Sequence, residues 1–333
     1  MRALIPPALL ATLLAALLAA CAPMPEPGSA EACRVEQVAS VPLLPPDPPR
    51  TSRWAVEVLL DGKPARMMLD SGANGLSISS EVALRLGLRQ RSDMRASTTG
   101  LGGTVYRRVF EAQTVAIGAQ TRTIPTLLTE TTDAQAAGRG FDGILGMGVL
   151  DRNDVEIDFP ARTLALYRAR FCPQGRPPWQ GGFLSFPRAG ANEYRTGNRP
   201  MIDVRLDGRQ ARALVDTGAT TTVVDKGFAV AAGAPAEPPD GARRGTTGTM
   251  SETTLPMWLH RFGTLEIGPA RIEAPQLWIT DLGMAADMIL GLSHIGGLKI
   301  WISNGSDMVY LAAPPRPPAP QPTPTPARPQ PRS

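Results

Sequence analysis

Residues 61–73 read DGKPARMMLDSGA, and residues 207–219 read DGRQARALVDTGA. Seven of the thirteen positions are identical, and most of the rest are conservative exchanges. Against roughly one chance match in fifteen for ordinary compositions, this is an internal duplication. Each copy ends in two apolar residues, an aspartate, a hydroxyl residue, a glycine and an alanine. Two halves that each deliver one carboxylate can set two acids against each other.

The flanking sequence reads as β structure in both copies. Val56, Val58 and Leu60 alternate before Asp61-Gly62, and Ile202, Val204 and Leu206 alternate before Asp207-Gly208. Alternation followed by a glycine-containing turn is a hairpin signal. The return strands, Ala65 to Leu69 and Ala211 to Val215, lead straight into Asp70 and Asp216. Apolar residues follow (Leu76 and Ile78; Val223 and Val224), then a short helical stretch ending at Gly87 or Gly233. Ala116-Ile117-Gly118 matches Glu266-Ile267-Gly268, and each half closes on a turn-rich hairpin, VEIDFPARTLALY or LKIWISNGSDMVYL. The expected fold is all-β, with two lobes.

Paired carboxylates supply a definite chemistry. Two carboxyls at contact distance cannot both ionise, so one pKa rises and the pair shares a proton. The ionised member activates water and the protonated member polarises a scissile carbonyl. The turn after each Asp must be tight, which explains Gly72 and Gly218, where a Cβ would crowd the opposing loop. Ser71 and Thr217 can send their hydroxyls across to the other loop's backbone. Ala73 and Ala219 cannot donate a hydrogen bond to the carboxylate as Ser or Thr would, so the pair should keep its proton to higher pH.

With these residues in view, the chain resembles the retropepsin-type aspartic peptidases, in the bacterial exported form with two fused domains. The resemblance spans roughly residues 53–312 and rests on two separated motifs per half. The second is an apolar-apolar-Gly segment expected beneath the active loop: Ile144-Leu145-Gly146 in one half and Ile289-Leu290-Gly291 in the other. The resemblance implies a pseudo-dimer of two β-barrel lobes within one chain, with Asp70 and Asp216 catalytic and no cofactor. It also implies a β-hairpin flap over the cleft, carried by Gly100, Gly102 and Gly103 in the first half and by Gly248 in the second. Glycines suit a lid that bends and lays its backbone against an extended peptide.

Other constellations carry less. Asp142 and Asp287 match each other and are expected to hydrogen-bond a turn; the matching Arg66 and Arg212 are expected to be solvated on the hairpin arm. Ser293-His294 lacks the Gly-x-Ser-x-Gly elbow of serine hydrolases. With only two histidines, His260 and His294, no metal site is expected.

The sequence isoelectric point near 9.2 does not imply nucleic-acid binding. Of the charges behind the formal +4, Arg2 lies in a leader and Arg316, Arg328 and Arg332 in a proline-rich tail, and no basic stripe with interleaved aromatics occurs. Residues 1–21 read as a signal peptide, whose apolar run from Ala8 to Ala20 is too short and wrongly flanked to span a membrane. It ends Leu18-Ala19-Ala20-Cys21, which resembles the lipobox of bacterial lipoproteins, with Cys21 as the lipidated residue. Ala20-Cys21-Ala22 also fits ordinary secretory cleavage. Both readings export the chain, the first to the periplasmic face of a membrane (by resemblance to lipoprotein sorting, the outer one), the second to the soluble periplasm.

Residues 22–50 read as a Pro-rich tether whose end at Pro42–Pro46 can add a short edge strand. The first lobe is expected over 51–171, a Pro/Gly linker over 172–182, the second lobe over 183–312 and a disordered Pro-rich tail over 313–333. In an oxidising compartment Cys33 and Cys172 are expected to bridge, pinning the tether to the linker. The short linker favours a monomer. The expected activity is an endopeptidase acting on polypeptides, with envelope proteins as the expected substrates; the competing reading is a peptide-binding or envelope-assembly module that keeps the fold without turnover.

Overall fold

The structure, a computed structural model, describes residues 34–45, 53–131, 140–170, 176–190, 199–249 and 252–313. Cys21, Cys33 and Cys172, the leader and the tail beyond Ala313 lie outside the described residues.

Each half builds a nine-stranded sheet around the duplicated paragraph. In the first half the strands Ala55–Leu60 and Lys63–Asp70 form the expected hairpin, and Met201–Leu206 with Arg209–Val215 form its counterpart. The turns hold Asp61 and Gly62 at φ 50° and 77°, and Asp207 and Gly208 at the same values. Positive φ at both central residues is the geometry a two-residue hairpin needs, because its twist matches that of the strands. Both turn aspartates also reach onward. Asp61 Oδ1 accepts from Thr114 N at 2.8 Å and Asp207 Oδ1 from Thr264 N at 2.6 Å, tying each hairpin to the strand that packs beside it.

At the centre of each sheet the apolar-apolar-Gly strand lies between the two arms that carry the aspartate. Gly143–Gly146 runs parallel to Lys63–Asp70 and antiparallel to Leu76–Ser79. Met288–Leu290 sits likewise between Arg209–Val215 and Val223–Asp225. Such close threading has no room for a Cβ at its end. One added at Gly146 would meet the carbonyl oxygen of Ala73 at 2.6 Å, and one at Gly291 that of Ala219 at 2.9 Å. A short helix follows the second arm in each lobe, Ser80–Leu86 and Lys226–Ala231, capped by Ser79 and Asp225.

The lobes join through a six-stranded sheet. Its order is Arg34–Pro42, Thr163–Arg170, Asp154–Asp158, Lys299–Ser303, Met308–Ala312 and Leu184–Pro187. At its middle Val155 faces Ile302 and Ile157 faces Ile300, so the two closing hairpins meet about a pseudo-twofold axis. These four side chains are fully buried in the main hydrophobic core, which runs continuously through both lobes.

Three expectations are corrected here. Much of the supposed tether is folded: Arg34–Pro42 pairs along its length with Thr163–Arg170, with a bulge between Gln37 and Ala39. Ala39 and Leu43 are buried and Val38 and Val41 pack against the core, so the segment gains enough apolar burial to be held as a strand. The linker's end is packed as well. Trp179 stands edge-on to Trp301 (6.2 Å) and to Phe183 (6.0 Å), covering the outer face of the joining sheet where buried Glu156 accepts a hydrogen bond from the Trp179 indole. Arg66 is half-buried rather than solvated, and its guanidinium donates to Pro45 O.

Candidate active site

Asp70 closes the strand Lys63–Asp70, and Asp216 directly follows the strand Arg209–Val215. The two tight turns face each other across the pseudo-twofold axis. An added Cβ at Gly72 would lie 2.7 Å from the Asp216 carboxyl carbon, and one at Gly218 would overlap the Asp70 carboxyl. Each glycine therefore makes room for the opposite acid. Within its own turn Asp70 Oδ1 accepts from Gly72 N (2.9 Å) and Ala73 N (3.1 Å), and Asp216 Oδ1 accepts from Gly218 N (2.8 Å).

Ser71 and Thr217 lock the turns together. Ser71 Oγ donates to Val215 O at 2.6 Å and accepts from Thr217 N at 3.0 Å. Thr217 Oγ1 donates to Leu69 O at 2.8 Å and accepts from Ser71 N at 3.0 Å. Ser71 is 0% and Thr217 2% exposed, so these four bonds form without competing water. The apolar-apolar-Gly segments supply the layer beneath: Met147 N donates to Ala73 O and Leu292 N to Ala219 O, both at 2.9 Å.

The two carboxyls lie within hydrogen-bonding reach of each other. Each keeps part of its surface open to the cleft while protein crowds its other sides. Burial, and then the charge of Asp216, hold the Asp70 carboxyl well above the ordinary carboxylate range. Burial raises Asp216 too, opposed first by the hydrogen bond from the Gly218 amide. The pair is thus built to retain one proton between two acids, giving a proton donor and a proton acceptor side by side.

Two further hairpins, one from each lobe, meet. The strands Ala96–Gly100 and Gly103–Arg107 turn through Leu101 and Gly102; Arg244–Gly248 and Thr254–Arg261 turn through a longer loop. Gly102 and Gly103 adopt φ of 84° and 107°, as the tight first turn requires. Gly100 pairs with Gly103, and Gly248 pairs with Thr254 at the start of the second loop. The tips touch, because a Cβ on Gly102 would collide with the Thr249 side chain, and Arg107 Nη1 lies 3.5 Å from Glu252 Oε1. Leu101 reaches over to the second lobe and packs with Val223, Leu282 and Ile289.

Asp142 and Asp287 are structural. Asp142 Oδ2 accepts from Arg66 N and Asp287 Oδ2 from Arg212 N, each at 2.8 Å, so each acid binds the hairpin arm rather than a turn. Ser293 and His294 lie on the helix Leu292–Ile295, where His294 Nδ1 is 2.8 Å from Thr222 Oγ1. Burial lowers the His294 pKa. Arg199 was missed in the motifs. It is half-buried, which lowers its pKa, and the charges of Asp216 and Asp70 act on it in the opposite sense. Pro200 O accepts from Val215 N at 2.9 Å, which seats this segment beside the strand leading to Asp216. Arg53 and Arg199 each precede their aspartate by seventeen positions. Extending the repeat alignment upstream would have found the pair.

Comparison with known families decides the relationship. The family described as aspartyl protease matches residues 56–149 and again 202–294, more than half of the chain. The chain belongs to the aspartyl protease family. The two matches fall one on each lobe, and each includes one aspartate turn and one apolar-apolar-Gly strand. This aspartyl protease is of the retropepsin-like kind, with both lobes fused in a single polypeptide. No curated protein matches the chain.

Proposed function

We propose that the chain is an aspartic endopeptidase that hydrolyses extended polypeptides in the bacterial periplasm, with Asp70 and Asp216 as its catalytic pair. The observation that carries this reading is the opposed arrangement of the two carboxyls, each open to the cleft on one side and backed by the other lobe's glycine. The ionised carboxylate takes a proton from a water molecule as its oxygen attacks the peptide carbonyl carbon. The protonated carboxyl gives its proton to the carbonyl oxygen, forming a neutral gem-diol. Collapse of the diol, with a proton passed to the amide nitrogen, breaks the C–N bond and releases the two peptides.

The hairpins that carry Gly100, Gly102 and Gly103 in the first lobe and Gly248 in the second act as flaps over the bound peptide, opening and closing as substrate enters and product leaves. Cys21 carries the lipid anchor, and the substrates are envelope proteins. The competing reading, a binding module without turnover, keeps the cleft but needs no shared proton.

The test is digestion of a proteome-derived peptide library by the mature chain and by its Asp70→Asn and Asp216→Asn variants. Each substitution should abolish cleavage while leaving circular dichroism unchanged, and the double variant should be no worse than either single. Cleavage by the wild type with a bell-shaped pH dependence supports the dyad. Folded wild type that captures peptides without cutting them would establish the binding module instead.

A further inference from the structure

Away from the cleft, the first lobe carries a pocket of about 280 Å³ between its edge hairpin and the joining sheet. The floor is apolar: Val115 and Ile117 from the hairpin, Leu150 from the turn after the apolar-apolar-Gly strand, and Leu166 from the sheet. All four are buried. The rim is cationic, formed by Arg122, Arg152 and Arg168.

The internal duplication provides a control. Matching the two lobes strand by strand, the floor recurs in the second lobe as Leu265, Ile267, Ile295 and Leu311, all buried. There the rim positions hold Ile272, Gly297 and Ala313, and Asn153 is replaced by Leu298. Ile272 and Leu298 pack against the core. One lobe therefore fills its rim with hydrocarbon, while the other rings a pocket with guanidinium groups. Three neighbouring guanidinium groups repel one another unless a counter-charge sits between them.

The counter-charges within the lobe are few. Asp151 lies 3.9 Å from Arg122, and Glu36 is the cross-strand neighbour of Arg168. Arg152 has no ion-pair partner among the described residues. Arg122 Nε is buried with no hydrogen-bond acceptor. The exposed parts of Arg122, Arg152 and Arg168 leave planar donors at the rim that an anionic oxygen can use.

We propose that this pocket binds an amphipathic anion, a carboxylate or phosphate head on a short apolar stem. The head would bridge Arg122 with Arg152 or Arg168, where planar donors match paired oxygens. The stem would cover the floor that Ile272 and Leu298 cover in the other lobe. The volume suits a stem of a few carbons rather than a folded partner. The site uses none of the dyad residues, so it stands whether or not the chain cleaves peptides.

Titration calorimetry on the mature chain tests this, with octanoate and octyl phosphate as probes below micelle-forming concentrations. Either should bind saturably at one per chain, and inorganic phosphate and octyltrimethylammonium should bind far more weakly or not at all. Arg122→Ile installs the second lobe's residue and should close the pocket, weakening the anion by about tenfold or more through loss of a charged hydrogen bond. Because Arg122→Ile alters packing, exposed Arg152→Ala serves as a second variant that should weaken binding without changing thermal stability. Absence of saturable binding by both anions, or equal binding by wild type and both variants, would overturn the proposal. Equal affinity for octyl phosphate and octyltrimethylammonium would do so too, since it would mean hydrocarbon contact alone.

Discussion

Replacing Thr217 by Val tests the crossed lock beneath the dyad. Valine keeps the shape of threonine but removes the hydroxyl, which donates to Leu69 O at 2.8 Å and accepts from Ser71 N at 3.0 Å. Both backbone groups would remain buried with no replacement, since Ser71 and Thr217 are almost fully enclosed. An orphaned buried polar group costs about 1–3 kcal/mol, so two cost roughly 2–6 kcal/mol. The added apolar surface returns at most about 0.8 kcal/mol. The net loss should be about 1–5 kcal/mol, a large share of the roughly 5–15 kcal/mol that stabilises an ordinary domain. Thr217→Ser keeps the hydroxyl and loses one methyl, so it should cost about 1 kcal/mol or less. The assay is urea denaturation followed by tryptophan fluorescence, comparing midpoints at unchanged slope. Catalysis should fall with Thr217→Val even at temperatures where the variant is fully folded, because the turns are no longer held in register. Equal midpoints for wild type and Thr217→Val, or equal losses for the Val and Ser variants, would refute the reasoning.

The raised dyad has a consequence for stability. A carboxyl whose folded pKa lies above its ordinary 3.8 binds more protons in the native state than in the unfolded chain, so its contribution is most favourable at low pH. That contribution is lost as pH climbs from about 3.8 through the raised folded value. Asp70→Asn should therefore raise the melting temperature at pH 7 while leaving it nearly unchanged at pH 3; an equal shift at both pH values would count against a shared buried proton. Trp179→Ala should destabilise the chain by about 1–3 kcal/mol, less than the full cost of emptying a core site because the ring is only half-buried. Thermal melting reads this, and turnover per folded molecule should stay within about twofold because Trp179 sits on the outer face of the joining sheet.

What the sequence determined by itself was whatever depends on short-range rules. Alternation with period two marks a half-buried strand wherever it occurs, so the hairpins before Asp70 and Asp216 were legible. So were their turns, because Asp-Gly accepts the positive φ that a two-residue connection needs. The glycines after each aspartate and at the end of each apolar-apolar-Gly segment were legible for a related reason. Only a residue without a Cβ fits where backbones cross, and the repeat shows the requirement twice.

The tertiary structure decided what depends on distant partners. Arg34–Pro42 reads as a proline-flanked tether until Thr163–Arg170 offers it an edge to pair with. Trp179 lies in a Pro/Gly stretch, and nothing local shows that Trp301 and Glu156 await it across the joining sheet. The asymmetry of the two hairpin tips, the burial of Arg199 beside the dyad and the guanidinium rim around the first lobe's pocket arise in the same way. Each brings together residues far apart in the chain, and no local periodicity encodes a pairing whose entropy is repaid only by long-range contacts.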